Sequence, residues 1–285
     1  MIHGLISALA PRLRQRAGIG LIAGATVLSA GCGSISTQQE QQLGADYAAQ
    51  INQQLPIVDD RQVNSYINDL GRRIAAAGDR HLPYRFYIVN AEQVNAFAVP
   101  GGYIYVNRGL IEHADNMMEL AGVLAHEIGH VEERHSVEQM ERLQGANLGL
   151  NLAYVLLGRA PTGVEEAAIG LGGNLVFAKY SRGAEDEADA QAIPLLMSAG
   201  INPRGLLTFF HELLEQQSRS PSALEAWFST HPTTTERIAQ TEARLDQIPA
   251  AQLRQLNTDT DAFHAFKARL ARYPAPPPEY RVSSR

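Results

Sequence analysis

A single cysteine, Cys32, occurs in 285 residues. One thiol cannot close an internal disulfide or build a thiolate zinc site. Charge is sparse at 19%, and 24 Lys+Arg stand against 30 Asp+Glu with no basic block. That balance excludes the electrostatic footprint of a nucleic-acid binder. Long apolar runs are missing too. Residues 17–30 give about fourteen uncharged positions, short of the roughly 20 that a spanning helix needs. The stretch 145–180 is apolar but interrupted by glycine and polar residues. What is present is 45% apolar residues, enough for one large domain or two small ones with a sizeable core.

The N-terminus reads as an address. Arg12, Arg14 and Arg16 precede the apolar run 17–30, and Gly31-Cys32 follow it. A basic region, a short apolar region and small residues describe a bacterial secretory signal. Leu28-Ser29-Ala30-Gly31-Cys32 resembles the lipobox, in which the cysteine becomes the first mature residue and carries lipid; Ser29 stands where leucine is usual. Gly33, rather than an aspartate, follows Cys32, and by the same resemblance this implies an outer-membrane lipid anchor facing the periplasm. The expected organisation is a lipoprotein signal peptide at 1–31, a polar tether at 32–42, a main domain at 43–249 and a short helical extension with a proline-rich, loose tail at 250–285. Residues 1–31 hold three arginines and no acid, so the remainder carries 21 basic against 30 acidic residues.

Apolar spacing predicts two helices between Leu43 and Ala77, broken around Pro56–Asp60. Residues 84–89, 94–99 and 103–106 are strand-like, the last two flanking Pro100-Gly101-Gly102. Residues 115–141 read as one long helix capped by Asp115. Helix, loop and helix are expected over 145–180, and helices over 184–199, with a kink at Pro194, and 203–217. Residues 222–231 read as irregular, 233–247 as helical and 250–272 as one or two small helices. The expected class is α+β, mainly helical with one small sheet.

His126-Glu127-Ile128-Gly129-His130 lies on the long helix. Residues i and i+4 share a helix face, so two imidazoles converge on one metal ion and the adjacent glutamate faces its open position. Zinc in such a site lowers the pKa of water to about 7, and the glutamate accepts the proton. A catalytic zinc usually takes a third protein ligand. The extension HExxHxxGxxH is not met: Glu133 stands at the glycine position, His135 is one residue early, and the helix reads as unbroken. His135 is therefore expected to be an exposed helix residue. Glu165, Glu166, Glu185 and Glu187 are the other candidates, and Glu185 stands out because Asp189, one turn on, can orient a zinc histidine. Glu187 points about 160° away from Glu185 and reads as solvated.

HExxH followed by ExxAD at 185–189 resembles the gluzincin zinc endopeptidase family of the CaaX prenyl protease, HtpX and BepA. Asn95-Ala96-Phe97-Ala98 with Gly101-Gly102, Glu119–Ala125 leading into HEIGH, and Ser229-Thr230-His231-Pro232 with Glu236-Arg237-Ile238 resemble further family segments. The resemblance implies one zinc per chain on His126, His130 and Glu185, with Glu127 as general base and Asp189 orienting a histidine. It implies a small sheet whose edge strand, carrying Asn95, Ala96, Phe97 and Ala98, packs on the HExxH helix and holds polypeptide substrate by β-augmentation. His231 is expected near the zinc, either donating to the oxyanion or closing the fourth position. Arg237 either stabilises the oxyanion or pairs with an acid. The implied function is hydrolysis of misfolded or misassembled envelope proteins. The alternative is a chaperone or assembly factor for outer-membrane proteins with latent proteolysis, the stretch 145–180 serving as its client surface. Nothing in the sequence fixes the oligomeric state.

Overall fold

The computed structural model describes residues 35–144, 179–217, 221–232 and 234–282. The expected elements between 145 and 178, with Glu165, Glu166, the client surface and the N-terminal signal, lie outside the described residues. Helices α1 (Thr37–Gln54) and α2 (Arg61–Ala75) come first. Asp60 caps α2 by accepting from the Gln62 and Val63 amides, and Val63, Ile67, Leu70 and Ile74 form its buried stripe. Helix α1 starts inside the segment expected as a tether. Ser36 and Gln39 form a reciprocal capping box there, and Glu40 is buried against Arg80 at 2.7 Å. A buried ion pair, rather than an apolar stripe, fixes this first turn.

Strands β1 (Arg85–Val89), β2 (Ala96–Val99) and β3 (Tyr103–Asn107) form a sheet in the order β1-β3-β2. β1 runs parallel to β3, and β2 antiparallel, with Ala98 opposite Ile104. The β2–β3 turn needs Gly101 and Gly102, whose φ values of 80° and 91° suit glycine. The expected edge strand is thus in place, and it packs on the metal-motif helix.

Helix α3 (Arg108–His113) leads to α4 (Met117–Glu132), the HExxH helix. Its cap is Asn116, not Asp115: the Asn116 side chain accepts from the Glu119 amide, and Glu119 accepts from the Asp115 amide. The single helix expected over 115–141 is two. Arg134 adopts φ 61° after α4, and α5 (His135–Gln144) begins beyond it. Then come α6 (Arg182–Ser198), which runs through Pro194, α7 (Arg204–Gln217), α8 (Pro221–Thr230) and α9 (Thr235–Asp246). The segment expected to be irregular is α8; Leu224 and Trp227 turn one helical face into the core. Short helices α10 (Ala250–Leu253) and α11 (Asp261–Leu270) follow. The proline-rich tail packs instead of hanging loose: the Tyr280 hydroxyl donates to the Gln54 carbonyl at 3.1 Å, and its own carbonyl accepts from Glu92 at 2.9 Å. No helix among the described residues is long and apolar enough to cross a membrane.

Helix α4 is buried at every position except Met118 and Glu132, packed among α2, α6, α7 and the sheet. Backbones approach closely at two glycines. A Cβ on Gly129 would lie 2.7 Å from the Ala188 carbonyl oxygen, and one on Gly122 would lie 2.6 Å from the Leu206 nitrogen. Gly122→Ala improves helix propensity by at most about 1 kcal/mol. The overlap is with backbone, which cannot swing aside, so overpacking costs about 1–3 kcal/mol and wins. Urea unfolding of Gly122→Ala is expected to show net destabilisation, and an unchanged or raised midpoint contradicts this packing.

Candidate metal centre

Helical spacing puts His126 and His130 on the same face of α4, and their Nε2 atoms are 3.0 Å apart. Glu185, in the first turn of α6, brings Oε1 to 3.4 Å from His130 Nε2 and Oε2 to 3.6 Å from His126 Nε2. His231, just past α8, places Nδ1 3.3 Å from His126 Nε2 and 3.1 Å from Glu185 Oε1. One ligand atom from each of the four lies within 4.8 Å of the others, and all four residues are buried. Bonds of roughly 2.0–2.2 Å to a tetrahedral zinc separate its ligands by about 3.4 Å, which these spacings match.

Asp189 lies one turn beyond Glu185, and its Oδ1 accepts from His126 Nδ1 at 2.9 Å. Arg237 of α9 pairs with both acids. Its Nη2 donates to Asp189 Oδ1 at 2.8 Å, Nε to Asp189 Oδ2 and Nη1 to Glu185 Oε2, and its guanidinium lies 4.5 Å over the Phe210 ring. Of the two expectations for Arg237, the acid pairing is the one this geometry supports. Burial opposes ionisation of Glu185 and Asp189. The charge of His231 together with Arg237 for Glu185, and Arg237 for Asp189, outweighs it and holds both below the ordinary carboxylate range.

Glu127 is fully buried, and neither carboxylate oxygen makes a hydrogen bond; His231 Nε2 is 3.4 Å from Oε1. Burial pushes the Glu127 carboxyl up, against the charges of His231 and His126. Burial and neighbouring His126 depress His130 well below its usual value. A buried carboxylate beside converging imidazoles fits a proton acceptor at a metal site.

Two contacts differ from the sequence reading. His135 is buried, with Nδ1 3.0 Å from His130 Nδ1. Arg134 breaks the helix just before His135, whose imidazole lies against that of His130. Glu187, expected to be solvated, is exposed yet reaches His135 Nε2 at 2.9 Å. Tyr180 was not singled out. Its ring stacks 3.9 Å from that of His130, and its hydroxyl meets Ser136 Oγ at 2.9 Å. Trp227 packs 4.8 Å from His231. Asn95, Ala96, Phe97 and Ala98 are all buried, and no strand pairs with the outer edge of β2 among the described residues. The Asn95 carboxamide faces the Thr230 hydroxyl at 3.5 Å, one residue before His231.

A mainly helical fold with a three-stranded sheet and a His-His-Glu cluster defines a gluzincin-type zinc metallopeptidase. The chain belongs to peptidase family M48, which it matches over residues 59–245. It is similar to the beta-barrel assembly-enhancing protease of Yersinia pestis (35% identity, over 81% of this chain and 47% of that protein). It is also similar to metalloprotease LoiP of Escherichia coli K12 (31%, over 65% and 70%) and metalloprotease YcaL of the same organism (30%, over 70% and 80%). The chain spans about half the length of the beta-barrel assembly-enhancing proteases it matches.

Arg237 is the only permanent cation among these site residues. Removing it takes the permanent counter-charge from two buried carboxylates, at about 3–5 kcal/mol for breaking a buried pair. Arg237→Met is expected to lose stability of that order in equilibrium unfolding, and a loss under about 1 kcal/mol contradicts the assigned pairing.

Proposed function

We propose that the chain is a zinc-dependent endopeptidase of the bacterial envelope that cuts misfolded or misassembled envelope proteins. The observation that carries the peptidase part of this reading is the buried Glu127 carboxylate beside the cluster of His126, His130, Glu185 and His231. His126, His130 and Glu185 would hold the zinc. Bound there, zinc supplies Lewis acidity that makes water a nucleophile near neutral pH. Glu127 accepts the proton of that water on a carboxylate oxygen and returns it to the leaving amine nitrogen. Asp189 keeps the Nδ1 proton of His126 in place, and Arg237 keeps Asp189 ionised. The edge strand β2, whose Ala98 carbonyl accepts from Ser136 Oγ at 3.4 Å, would present its main chain to an extended polypeptide once that contact gives way. His231 serves in one of two ways: as a fourth ligand it closes the site, and displaced from that place it donates to the carbonyl oxygen of the scissile bond.

Cleavage of an unfolded polypeptide such as casein tests the reading. Glu127→Gln is expected to retain zinc and lose about 10²–10⁴ in rate; full activity of that variant ends the proposal. His231→Ala separates its two roles, since faster cleavage marks a gate and slower cleavage an oxyanion donor, while an unchanged rate removes both.

A second reading is favoured by the words "assembly-enhancing" in the names of several relatives. The chain would then act chiefly as an assembly factor for outer-membrane proteins, with proteolysis latent. Rescue of a deletion strain by Glu127→Gln would support that reading, and failure to rescue would support the peptidase.

The motif ending in Cys32 supports lipid anchoring to the outer membrane, with the domain in the periplasm. Three acyl chains, at about 0.8 kcal/mol per buried CH₂, hold such an anchor firmly. Intact mass of the membrane fraction is expected to show a mature chain starting at Cys32 with lipid attached; an unlipidated chain starting elsewhere rules this out.

A further inference from the structure

Both histidines of the HExxH helix engage their second ring nitrogen, but by different means. His126 Nδ1 meets the Asp189 carboxylate directly at 2.9 Å. His130 Nδ1 meets another imidazole, Nδ1 of His135, at 3.0 Å. His135 Nε2 then meets Glu187 Oε2 at 2.9 Å. His135 is buried, its side chain 3% exposed, whereas that of Glu187 is 62% exposed.

The proton positions in this row follow from one condition. Two imidazole nitrogens 3.0 Å apart need one proton between them. His130 Nε2 faces Glu185 and His126 in the donor cluster, so a metal there requires its lone pair and leaves the proton on Nδ1. His130 therefore donates and His135 Nδ1 accepts. An accepting, neutral His135 carries its own proton on Nε2, the atom that faces Glu187. No atom in the row is left with a mismatched partner. Tyr180, stacked on the His130 ring, limits its tilt but cannot choose between its tautomers.

We propose that His135 and Glu187 are a positioning pair for His130, fixing the tautomer and plane in which it binds zinc. They are the indirect counterpart of Asp189 on His126. The proposal rests on the metal-site reading above and adds to it the residues that prepare the second histidine. The route ends at the surface, because Glu187 is largely exposed, so its hold on His135 is screened and weaker than that of Arg237 on Asp189.

Zinc affinity, measured by competition with a chromogenic chelator, tests it on the full chain. Loss of such an outer partner typically costs 10–100-fold in metal affinity. His135→Leu is expected to weaken zinc binding by that factor. His135→Asn is expected to recover most of it, since the amide oxygen replaces Nδ1 as acceptor although it cannot reach Glu187. Glu187→Ala, on the surface, is expected to bind zinc more weakly with an unchanged thermal midpoint of the zinc-free protein. The visible spectrum of the cobalt-substituted protein is expected to change in His135→Leu and to return towards wild type in His135→Asn. Wild-type affinity in His135→Leu, or equal losses in the leucine and asparagine variants, would overturn the proposal. Where His135→Leu fails to fold, Glu187→Ala decides, and unchanged affinity there overturns it. A wild-type chain that binds no zinc would instead remove the metal-site reading itself; the two failures are thereby distinguished.

Discussion

Three buried carboxylates within one site set the terms for the rest of the structure. Glu127, Glu185 and Asp189 are essentially inaccessible to water, and Arg237 is the one permanent cation that touches two of them. With neutral histidines the group carries three negative charges against one positive. Buried charge is costly unless compensated. The deficit of two is the charge of one dication, and the donors that converge in the site are nitrogen and oxygen atoms of the kind zinc takes. Burial pushes Glu127 up, and His231, facing Glu185 and Glu127, is raised despite its burial, whereas Arg237 helps hold Glu185 and Asp189 down.

Such a cluster must be assembled from elements that cannot drift. Helix α4 supplies two histidines and the base, α6 supplies Glu185 and Asp189, and α9 supplies Arg237. Gly129 lets α4 and α6 approach until backbone meets backbone, which fixes the separation of His130 from Glu185. The glycine inside HEIGH is thus a spacing device, and Gly122 repeats it one helix over, against α7. Close packing is what turns a sequence motif into a site whose donors lie 3.0–3.6 Å apart.

The legible part of the site was the part with a period. HExxH is legible because helical spacing makes i and i+4 neighbours, and Glu185 is legible because Asp189 repeats that spacing on a second helix. The small sheet was legible from β-prone runs around Pro100-Gly101-Gly102. His135 was not, because its burial depends on a left-handed residue at Arg134, and arginine carries no signal for that conformation. In a continuous helix His135 would point well away from the face that carries His126 and His130; the break lets its imidazole meet that of His130. Helix α8 was hidden for a related reason. Its Ser-Pro-Ser start resembles a loop, and only the space filled by Leu224 and Trp227 makes it helical.

The break at Arg134 also explains why the first helix is ordered where the composition suggests a tether. Arg134 Nε lies 3.4 Å from the buried Glu40 carboxylate, and Arg134 Nη2 donates to the Ile35 carbonyl. Arg80 donates to both oxygens of the same carboxylate and to the Val131 carbonyl at the end of α4. Glu40 also accepts from the Gly101 amide at 3.3 Å, so it ties together four places: the start of α1, the loop after α2, the β2–β3 turn and the turn that follows the HExxH helix. A left-handed arginine is costly by itself. Here its side chain is drawn to a carboxylate that has no contact with water, and that attraction offsets the backbone cost. Polar residues of the first described turn thus hold the turn that places His135 against His130.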